Sequence, residues 1–493
     1  MTLLDVRAVV GILGALLFFF GVVLLAPMIV GIGYGESTWW SFAVSSAVGL
    51  LIGGTAWWKY RPTREFGIRE GFVIVASAWF VLSLLGAVPF VISGVLPSYT
   101  DAFFETMSGL TTTGATVLGG AHTPTIEELP RAFLFWRSLA HWLGGMGIIV
   151  LTLAILPILG VGGMQLFRAE VPGPSADKLT PRIKETAKRL WLIYFAITVA
   201  EILLLLPAMD WFDSVNHAFA TMATGGFSTK NGSVGDFKSA YVEWIITFFM
   251  IAAGINFTLH YRLLHGKVGP VFRDRELRFY LLIIAVSALM IATSIYGMSG
   301  LGAQRYESLE EAIRHAVFQA ASIVTTTGFG TADYELWPPL ALGVVFFLFF
   351  TGGMAGSTGG GVKVVRHVLL YKHTYREIKR LVHPQAIIPI RLNDQVVSGD
   401  IMRNVLSFVV LYVATACIGA MALCLVGMDL LTALGGAISA VGNVGPAFGT
   451  LGPTENYAHV PLAGKWVLAI LMMLGRLEIF TVLVLFVPAF WRR

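Results

Sequence analysis

Four short segments built from threonine, glycine and a few other small or polar residues recur along the chain, and we call them filter loops one to four. Their aligned glycines recur at intervals of 112, 102 and 117 residues. The candidate positions are Thr112, Thr113 and Gly114 in loop one, Thr224, Gly225 and Gly226 in loop two, Thr326, Thr327 and Gly328 in loop three, and Asn443, Val444 and Gly445 in loop four. A dehydrated cation needs oxygens that replace its water, and rings of backbone carbonyls supply them. Glycine permits the backbone angles that turn carbonyls inward.

Acidic residues ahead of two filter loops favour the same chemistry. Asp101 and Asp213 each lie 13 residues before the aligned glycine of their loop. We expect each to cap the N-terminus of a short helix, whose C-terminal end brings about half a negative charge to the loop. The two carboxylates would also attract cations at the mouth of a pathway. The alternative is that they are helix caps alone.

A second glycine cluster, residues 351–361, lies in the apolar stretch that follows loop three. Its glycines are Gly352, Gly353, Gly356, Gly359, Gly360 and Gly361. Each glycine costs a helix about 1 kcal/mol relative to alanine, so we predict a broken helix whose flexible loop acts as a gate. Helix packing is the alternative. A phosphate-binding loop fits poorly, because Val362 separates Gly361 from Lys363 and no serine or threonine follows the lysine.

Arg476 is a charged residue inside the last long apolar segment. A charge at membrane depth is costly and by default faces a cavity or a partner. We predict that Arg476 lies below the filter with the glycine cluster and raises the barrier for cations as part of the gate. The alternative is a structural ion pair with a buried acid such as Glu201.

Helices in a membrane must position these residues. The 493 residues are 56% hydrophobic and 13% charged, with a mean hydropathy of +0.76, which excludes a soluble domain. Windows such as 9–30, 71–91 and 401–425 have the length of about 20 residues that a helix needs to cross a bilayer. Each filter loop follows an apolar stretch too short to span. We therefore predict about ten spanning helices and four re-entrant half-helices.

Charge clusters between the apolar segments alternate in sign balance, which predicts an orientation. The basic clusters occupy 59–69, 168–189, 262–278 and 363–391, and the segments poor in lysine and arginine occupy 97–130, 209–240, 300–337 and 427–464. Basic loops lie on the cytoplasmic side. We therefore expect the filter loops to face outward and both termini to lie in the cytoplasm.

The repeated order of helix, half-helix, loop and helix predicts the domain organisation. The fold class is an all-α membrane protein in which two N-terminal helices precede four repeats arranged with pseudo-fourfold symmetry around one central pore. The expected boundaries are 1–62 for the extra helix pair, 63–165 for repeat one, 166–268 for repeat two, 269–390 for repeat three with its broken final helix, and 391–493 for repeat four.

A polytopic membrane enzyme whose glycines are packing motifs is the competing hypothesis. His260 and His265 do not have the spacing of a zinc-binding helix motif, and the sequence contains neither a Cys-x-x-Cys pair nor a Gly-x-Ser-x-Gly elbow. An enzyme also has no need of four equivalent outer loops. No extended basic or acidic tail is present, and we expect no nucleic-acid partner.

The filter loops, the segment Gly352–Gly361 and the run Gly475-Arg476-Leu477-Glu478 together resemble the Trk/Ktr/HKT superfamily of potassium transporters. The extra N-terminal helix pair resembles the bacterial TrkH-type membrane subunit within that superfamily. The resemblance covers nearly the whole chain. It implies potassium uptake across a bacterial inner membrane through a gated pore with one four-loop filter per subunit, the potassium ion being the transported substrate.

The resemblance also implies partners. It implies membrane lipid, a homodimer and a cytoplasmic, TrkA-like regulatory ring of RCK domains that binds the nucleotide, with no organic cofactor on this chain. In the family, serine at the first filter glycine goes with sodium transport, so Gly114 favours potassium. Gly225 and Val444 depart from the threonine of loops one and three. A pore of the same family with weak potassium-over-sodium discrimination therefore stays open as a second alternative.

Overall fold

The computed structural model describes residues 4–61, 67–154, 179–296, 306, 308–393 and 395–491. Three helices come first: α1 (Val6–Val23), α2 (Leu25–Gly33) and α3 (Trp39–Lys59). Small residues let α1 and α3 approach closely, as in other membrane helix pairs: a Cβ on Gly14 would lie 2.7 Å from the Ala56 Cβ. The Ser46 hydroxyl donates across the same interface to the Gly21 carbonyl at 2.7 Å.

The rest of the chain repeats a long helix, a short helix, a loop and a second long or interrupted helix. Repeat one has α4 (Ile68–Ile92), α5 (Tyr99–Leu110) and α6 (Arg131–Ala154). Repeat two has α7 (Leu179–Leu205), α8 (Trp211–Met222), α9 (Ala240–Ala253) and α10 (Phe257–Leu264), followed by α11 (Val268–Arg273).

Repeats three and four follow the same order. Repeat three has α12 (Arg275–Ile295), α13 (Leu309–Val324), α14 (Pro339–Leu348) and α15 (Val364–Val382). Strands β1 (Arg391–Leu392) and β2 (Gln395–Val396) form an antiparallel ribbon. Repeat four has α16 (Gly399–Leu425), α17 (Leu430–Gly442), α18 (Leu462–Arg476), α19 (Phe480–Leu483) and α20 (Pro488–Trp491). Short 3-10 turns occupy Ile126–Glu128, Ser233–Phe237, Tyr334–Leu336, Gly449–Leu451 and Val484–Phe486.

The predicted all-helical membrane fold is confirmed. By length and composition, five helical spans in the described part of the chain can cross a membrane, or seven if each of two bent pairs counts as one span. The other predicted spans fall on α6 and α7, which carry charged residues, and on the interrupted pair α14–α15. The expected boundaries at 62/63 and 165/166 lie outside the described residues, as do Arg492 and Arg493.

Three of the four final helices are interrupted, whereas the sequence indicated one. Between α14 and α15 the chain is not helical, and α9 bends by 101° into α10 and α18 by 106° into α19. At the first bend Asn256 begins a new helix, its side chain accepting from the Thr258 amide at 2.8 Å. At the second, Glu478 and Ile479 have φ values of 57° and 54°. Neither bend contains a proline or a glycine cluster, so periodicity gave no signal.

The outer connections between helices hold the four repeats together in cyclic order. The amide of Ile126 in repeat one donates to the Asn231 side chain in repeat two at 3.1 Å. Three hydrogen bonds continue the cycle. The Gly235 amide donates to the Gly330 carbonyl at 3.1 Å, and the Gly449 amide donates to the Glu335 carboxylate at 2.6 Å. The Tyr457 amide donates to the Thr116 carbonyl at 2.8 Å. The last of these returns from repeat four to repeat one, so the four outer connections close into a ring.

Candidate ion pathway

The short helices α5, α8, α13 and α17 all end in the same backbone motif. A residue just beyond each helix end, the second one after α5, α8 and α13 and the first one after α17, has a left-handed conformation: φ is 52° at Thr112, 54° at Thr224, 59° at Thr326 and 54° at Asn443. The amide of this residue bonds the carbonyl three residues back, and the next amide bonds the carbonyl five residues back. This pair of bonds is the Schellman motif, which normally places glycine at the left-handed position. In three of the four loops this position is a buried threonine. A left-handed conformation is unusual for a β-branched residue, and its recurrence here indicates a functional constraint.

The aligned glycines also share one conformation, two residues after the left-handed residue. Their φ values are 82° at Gly114, 82° at Gly226, 79° at Gly328 and 102° at Gly445. Residues that carry a side chain rarely adopt this φ, so each loop has a backbone conformation that favours glycine at the same point. The alignment made from the sequence letters therefore agrees with the backbone at all four positions.

Each aligned glycine lies against a carbonyl of the next loop around the cycle. A Cβ on Gly114 would lie 2.1 Å from the Gly225 oxygen, and one on Gly226 would lie 2.1 Å from the Thr327 oxygen. The corresponding distances are 2.0 Å from Gly328 to the Val444 oxygen and 2.5 Å from Gly445 to the Thr113 oxygen. The four loops thus form a closed ring in which no side chain fits at the glycines.

The threonine hydroxyls at the second position of loops one and three bond to protein groups around this ring. Thr111 and Thr113 share a hydrogen bond of 2.9 Å between their hydroxyls, and Thr325 and Thr327 one of 2.7 Å. Asn443 donates to the Thr113 hydroxyl at 3.0 Å, which ties loop four to loop one. The threonine hydroxyls at these second loop positions therefore hold the loops in place.

The departure from threonine at Gly225 has a steric cause. A Cβ there would lie 2.4 Å from the His141 ring. His141, on α6, reaches the Gly109 carbonyl with Nδ1 at 2.8 Å and accepts from the Phe227 amide with Nε2 at 3.2 Å. The imidazole thus occupies the space of the missing side chain and links loop two to the end of α5.

The glycine-rich segment 351–361 packs against the start of loops three and four. The Gly360 amide donates to the Thr326 hydroxyl at 2.6 Å. A Cβ on Gly359 would lie 2.9 Å from the Thr325 oxygen, and one on Gly360 would lie 2.5 Å from the Gly442 oxygen. The segment therefore fits below the filter loops only because these positions lack side chains.

Hydrogen bonds to Glu276 and Gly254, and one that joins its start to Val362, hold this glycine-rich segment in place. The Glu276 carboxylate, in the first turn of α12, accepts from the Ala355 amide at 2.7 Å and from the Val365 amide at 3.2 Å. The Gly352 amide donates to Val362 at 2.8 Å, and the Met354 amide to Gly254 at 2.9 Å. Glu276 was not predicted as a functional residue, because an acid at the start of an apolar helix was its only signal in the sequence.

Arg476 is the last residue of α18 and is 2% exposed. Its guanidinium donates to the Thr358 carbonyl at 2.8 Å and to the Gly144 carbonyl of α6 at 3.0 Å. Arg476 therefore contacts the glycine-rich segment, as expected, and joins it to repeat one. The carboxylate of Glu201, the alternative partner, has no hydrogen-bond partner among the described residues.

The expectation that Asp101 and Asp213 are N-caps is wrong. The caps are Ser98 for α5 and Asp210 for α8, and the two predicted acids lie in the first helical turn. Asp101 pairs with Lys465 at 2.6 Å, and the Thr229 hydroxyl donates to Asp213 at 2.7 Å. The side-chain oxygens of Ser98 and Asp210 accept from the amides of these same aspartates, so the helices begin one turn earlier than expected.

An outer acid, Glu335, joins the connections of repeats three and four. It accepts from the Gly449 amide at 2.6 Å. Burial raises the pKa of the Glu335 carboxyl, the Gly449 hydrogen bond opposes this rise, and the neighbouring Asp333 and Glu455 add to it.

A buried ion pair beside loops one and two was also missed. Glu105 of α5 and Arg137 of α6 pair at 2.8 Å with side-chain exposures of 0% and 2%. Two opposite charges in apolar segments were the available signal, but they lie 32 residues apart, so only the packing of α5 on α6 brings them together.

Comparison with known proteins identifies the family. A model of the TrkH family, described as a cation transport protein, matches residues 41–493. The chain belongs to the TrkH family. Among family relatives, the Trk system potassium uptake protein TrkH of Halomonas elongata is 42% identical, over 99% of this chain and 100% of its own length. The protein of the same name from Escherichia coli K12 is 43% identical, over 99% of each chain.

A solved structure extends the match to the TrkH family. The crystal structure of the potassium transporter TrkH from Vibrio parahaemolyticus superimposes with a TM-score of 0.89 at 39% identity, covering 99% of this chain and 100% of that one. Relatives in the family are named as potassium uptake proteins. The chain is therefore a transport protein, and the alternative of a membrane enzyme is wrong.

Proposed function

We propose that this chain takes up potassium ions across the bacterial inner membrane through the ring formed by its four filter loops. The cyclic contact between each aligned glycine and the next loop's carbonyl carries the proposal, since each of the four loops contributes one backbone oxygen to a closed ring of contacts. Potassium is proposed as the transported ion because the relatives are named potassium uptake proteins. The ring supports a pseudo-fourfold arrangement of repeats with the boundaries expected from the sequence.

The carbonyl oxygens of the loops are the proposed ligands for potassium. Because the second-position hydroxyls of loops one and three bond to other protein groups, the absence of a hydroxyl at Gly225 and Val444 leaves the set of backbone oxygens complete. The C-terminal ends of four helices add partial negative charge on the same ring. These features support potassium over the alternative of weak discrimination, with Gly114 as the position that decides it.

Ion uptake into liposomes tests the function. Purified protein is reconstituted, and rubidium, as a potassium substitute, and sodium uptake are measured in parallel. We expect rubidium uptake that unlabelled potassium competes away and sodium does not. Protein-free liposomes are the control, and uptake no greater than theirs both with and without an RCK partner refutes the proposal. Equal uptake of both ions favours the weakly selective pore.

The glycine-rich segment and Arg476 form the proposed gate. A freely conducting pore would dissipate the membrane potential, where each 100 mV is worth about 2.3 kcal/mol per charge. The segment contacts the starts of loops three and four, and Arg476 adds a positive charge beside it. A loop of small residues has the backbone freedom for an opening movement.

Replacing Arg476 by alanine tests the gate. The substitution removes the donor to Thr358 and Gly144, so the segment loses one anchor and the pathway loses a repelling charge. We expect rubidium uptake without any partner to rise above wild type. Arg403, exposed and paired with Asp400 on α16, supplies the matched control Arg403→Ala. Unchanged uptake by a folded Arg476→Ala protein argues against the gate.

The proposed assembly is a homodimer in membrane lipid that binds a cytoplasmic RCK subunit carrying the nucleotide. Both termini and the basic segments 168–189 and 363–391 are proposed to face the cytoplasm. Residues 168–178 lie outside the described residues, while α15 carries exposed basic and apolar side chains such as Arg380 and Leu381. Co-purification with an RCK protein tests this surface, and molecular mass in detergent tests the dimer.

A further inference from the structure

Loops one and two are joined by the buried ion pair between Glu105 and Arg137, which the proposed function does not use. The Glu105 carboxylate accepts from the Thr116 hydroxyl at 2.9 Å and from the Val117 amide at 3.0 Å, just beyond loop one's glycine. Glu105 therefore fixes the outer part of loop one to the middle of its own short helix.

Arg137 extends the contact to loop two. While its Nε donates to Glu105, its Nη1 donates to the Ser228 carbonyl at 3.0 Å and its Nη2 to the Thr116 hydroxyl at 3.4 Å. Its guanidinium also lies 4.0 Å from the centre of the Phe227 ring. One planar side chain thus binds both loops, two residues beyond the glycine on each side. A point charge such as lysine cannot make these contacts together.

The corresponding position differs in every repeat. Glu105 lies seven residues before the left-handed residue of its loop, and the equivalents are His217, Gln319 and Gly436. His217 bonds the Ser228 hydroxyl at 2.9 Å. The Gln319 amide has no hydrogen-bond partner among the described residues. Among the described residues, the helix position that Glu105 occupies therefore carries an ion pair in repeat one, where that pair links loops one and two.

We propose that Glu105 and Arg137 are positioning residues that set potassium-over-sodium selectivity by fixing the spacing between loops one and two. This inference rests on the proposed function. Selectivity needs a ring that does not contract around a smaller ion, whether cavity size or ligand number decides it. Charge-assisted hydrogen bonds in a buried site are stronger than neutral ones and supply that rigidity.

Two variants separate positioning from simple stabilisation. Arg137→Lys keeps the buried charge balanced but loses the simultaneous bonds to Ser228 and Thr116. The double variant Glu105→Gln with Arg137→Met removes both charges, which avoids an unpaired buried charge. We expect each to fold, with a wild-type elution volume in detergent, and to lower the rubidium-to-sodium uptake ratio about tenfold, or about 1.4 kcal/mol.

The matched control is the ion pair between Arg314 and Glu243, which joins repeats two and three with side-chain exposures of 13% and 4%. Glu243→Gln with Arg314→Met should leave the uptake ratio unchanged, because the contacts described for this pair do not include a filter loop. If folded Arg137→Lys protein or the folded double variant keeps the wild-type rubidium-to-sodium uptake ratio, this inference is overturned and the proposed function is unaffected. Wild-type protein that transports neither ion with or without an RCK partner overturns the proposed function, and this inference with it.

Discussion

Replacing Gly114 by serine perturbs the filter ring at one defined contact. The new Cβ would lie 2.1 Å from the Gly225 carbonyl oxygen, about 1 Å closer than an ordinary contact. The φ of 82° adds a cost of about 1–2 kcal/mol for a side chain. Loop two cannot retreat on its far side, since His141 fills that space.

The strain must therefore move the Gly225 carbonyl, one of the proposed ligands. A shift of 1.4 kcal/mol in relative barrier height is a tenfold change in flux ratio. We expect Gly114→Ser to lower the rubidium-to-sodium uptake ratio by about tenfold, with a smaller effect on total uptake. Gly114→Ala carries the same Cβ without the hydroxyl, so it reports the steric part alone.

The assay compares initial uptake rates in liposomes that contain equal amounts of folded protein. Gly330→Ser is the matched control, because a Cβ at Gly330 meets no atom within 4 Å. The control should keep the wild-type ratio. If Gly114→Ser keeps that ratio too, the Gly114 contact does not shape the filter and the reasoning is refuted.

Three other predictions address the gate, the partner surface and the outer connections. Deleting Ala355–Gly359 should raise rubidium uptake without a partner, because it removes the segment below the filter; uptake at or below wild type counts against a gate. Reversing the charges of Arg376, Lys379 and Arg380 should reduce co-purification with an RCK protein, and an intact complex argues for another surface. Because the pKa of Glu335 is raised in the folded protein, its contribution to stability is largest at low pH and is lost as the pH rises from the unfolded pKa through the folded one. The melting temperature should therefore fall across this pH range, and Glu335→Gln should make that fall smaller. An unchanged pH profile contradicts this.

The sequence alone determined the features that repetition and local chemistry fix. Four aligned glycines, each after a short apolar stretch, were enough to predict short helices and loops, because glycine and threonine at those spacings have few other uses in a membrane protein. The glycine cluster after loop three likewise predicted a non-helical segment, since helix propensity is a local property.

Tertiary structure decided what depends on contacts between distant residues. The caps Ser98 and Asp210 follow from where each helix begins in its packed setting, which a spacing of 13 residues does not reveal. The ring itself joins Gly445 to Thr113, more than three hundred residues away. Arg476 binds two backbone carbonyls rather than an acid, because the glycine-rich segment and α6 place these oxygens beside it. Such partners leave no mark in local sequence, since any residue supplies a carbonyl.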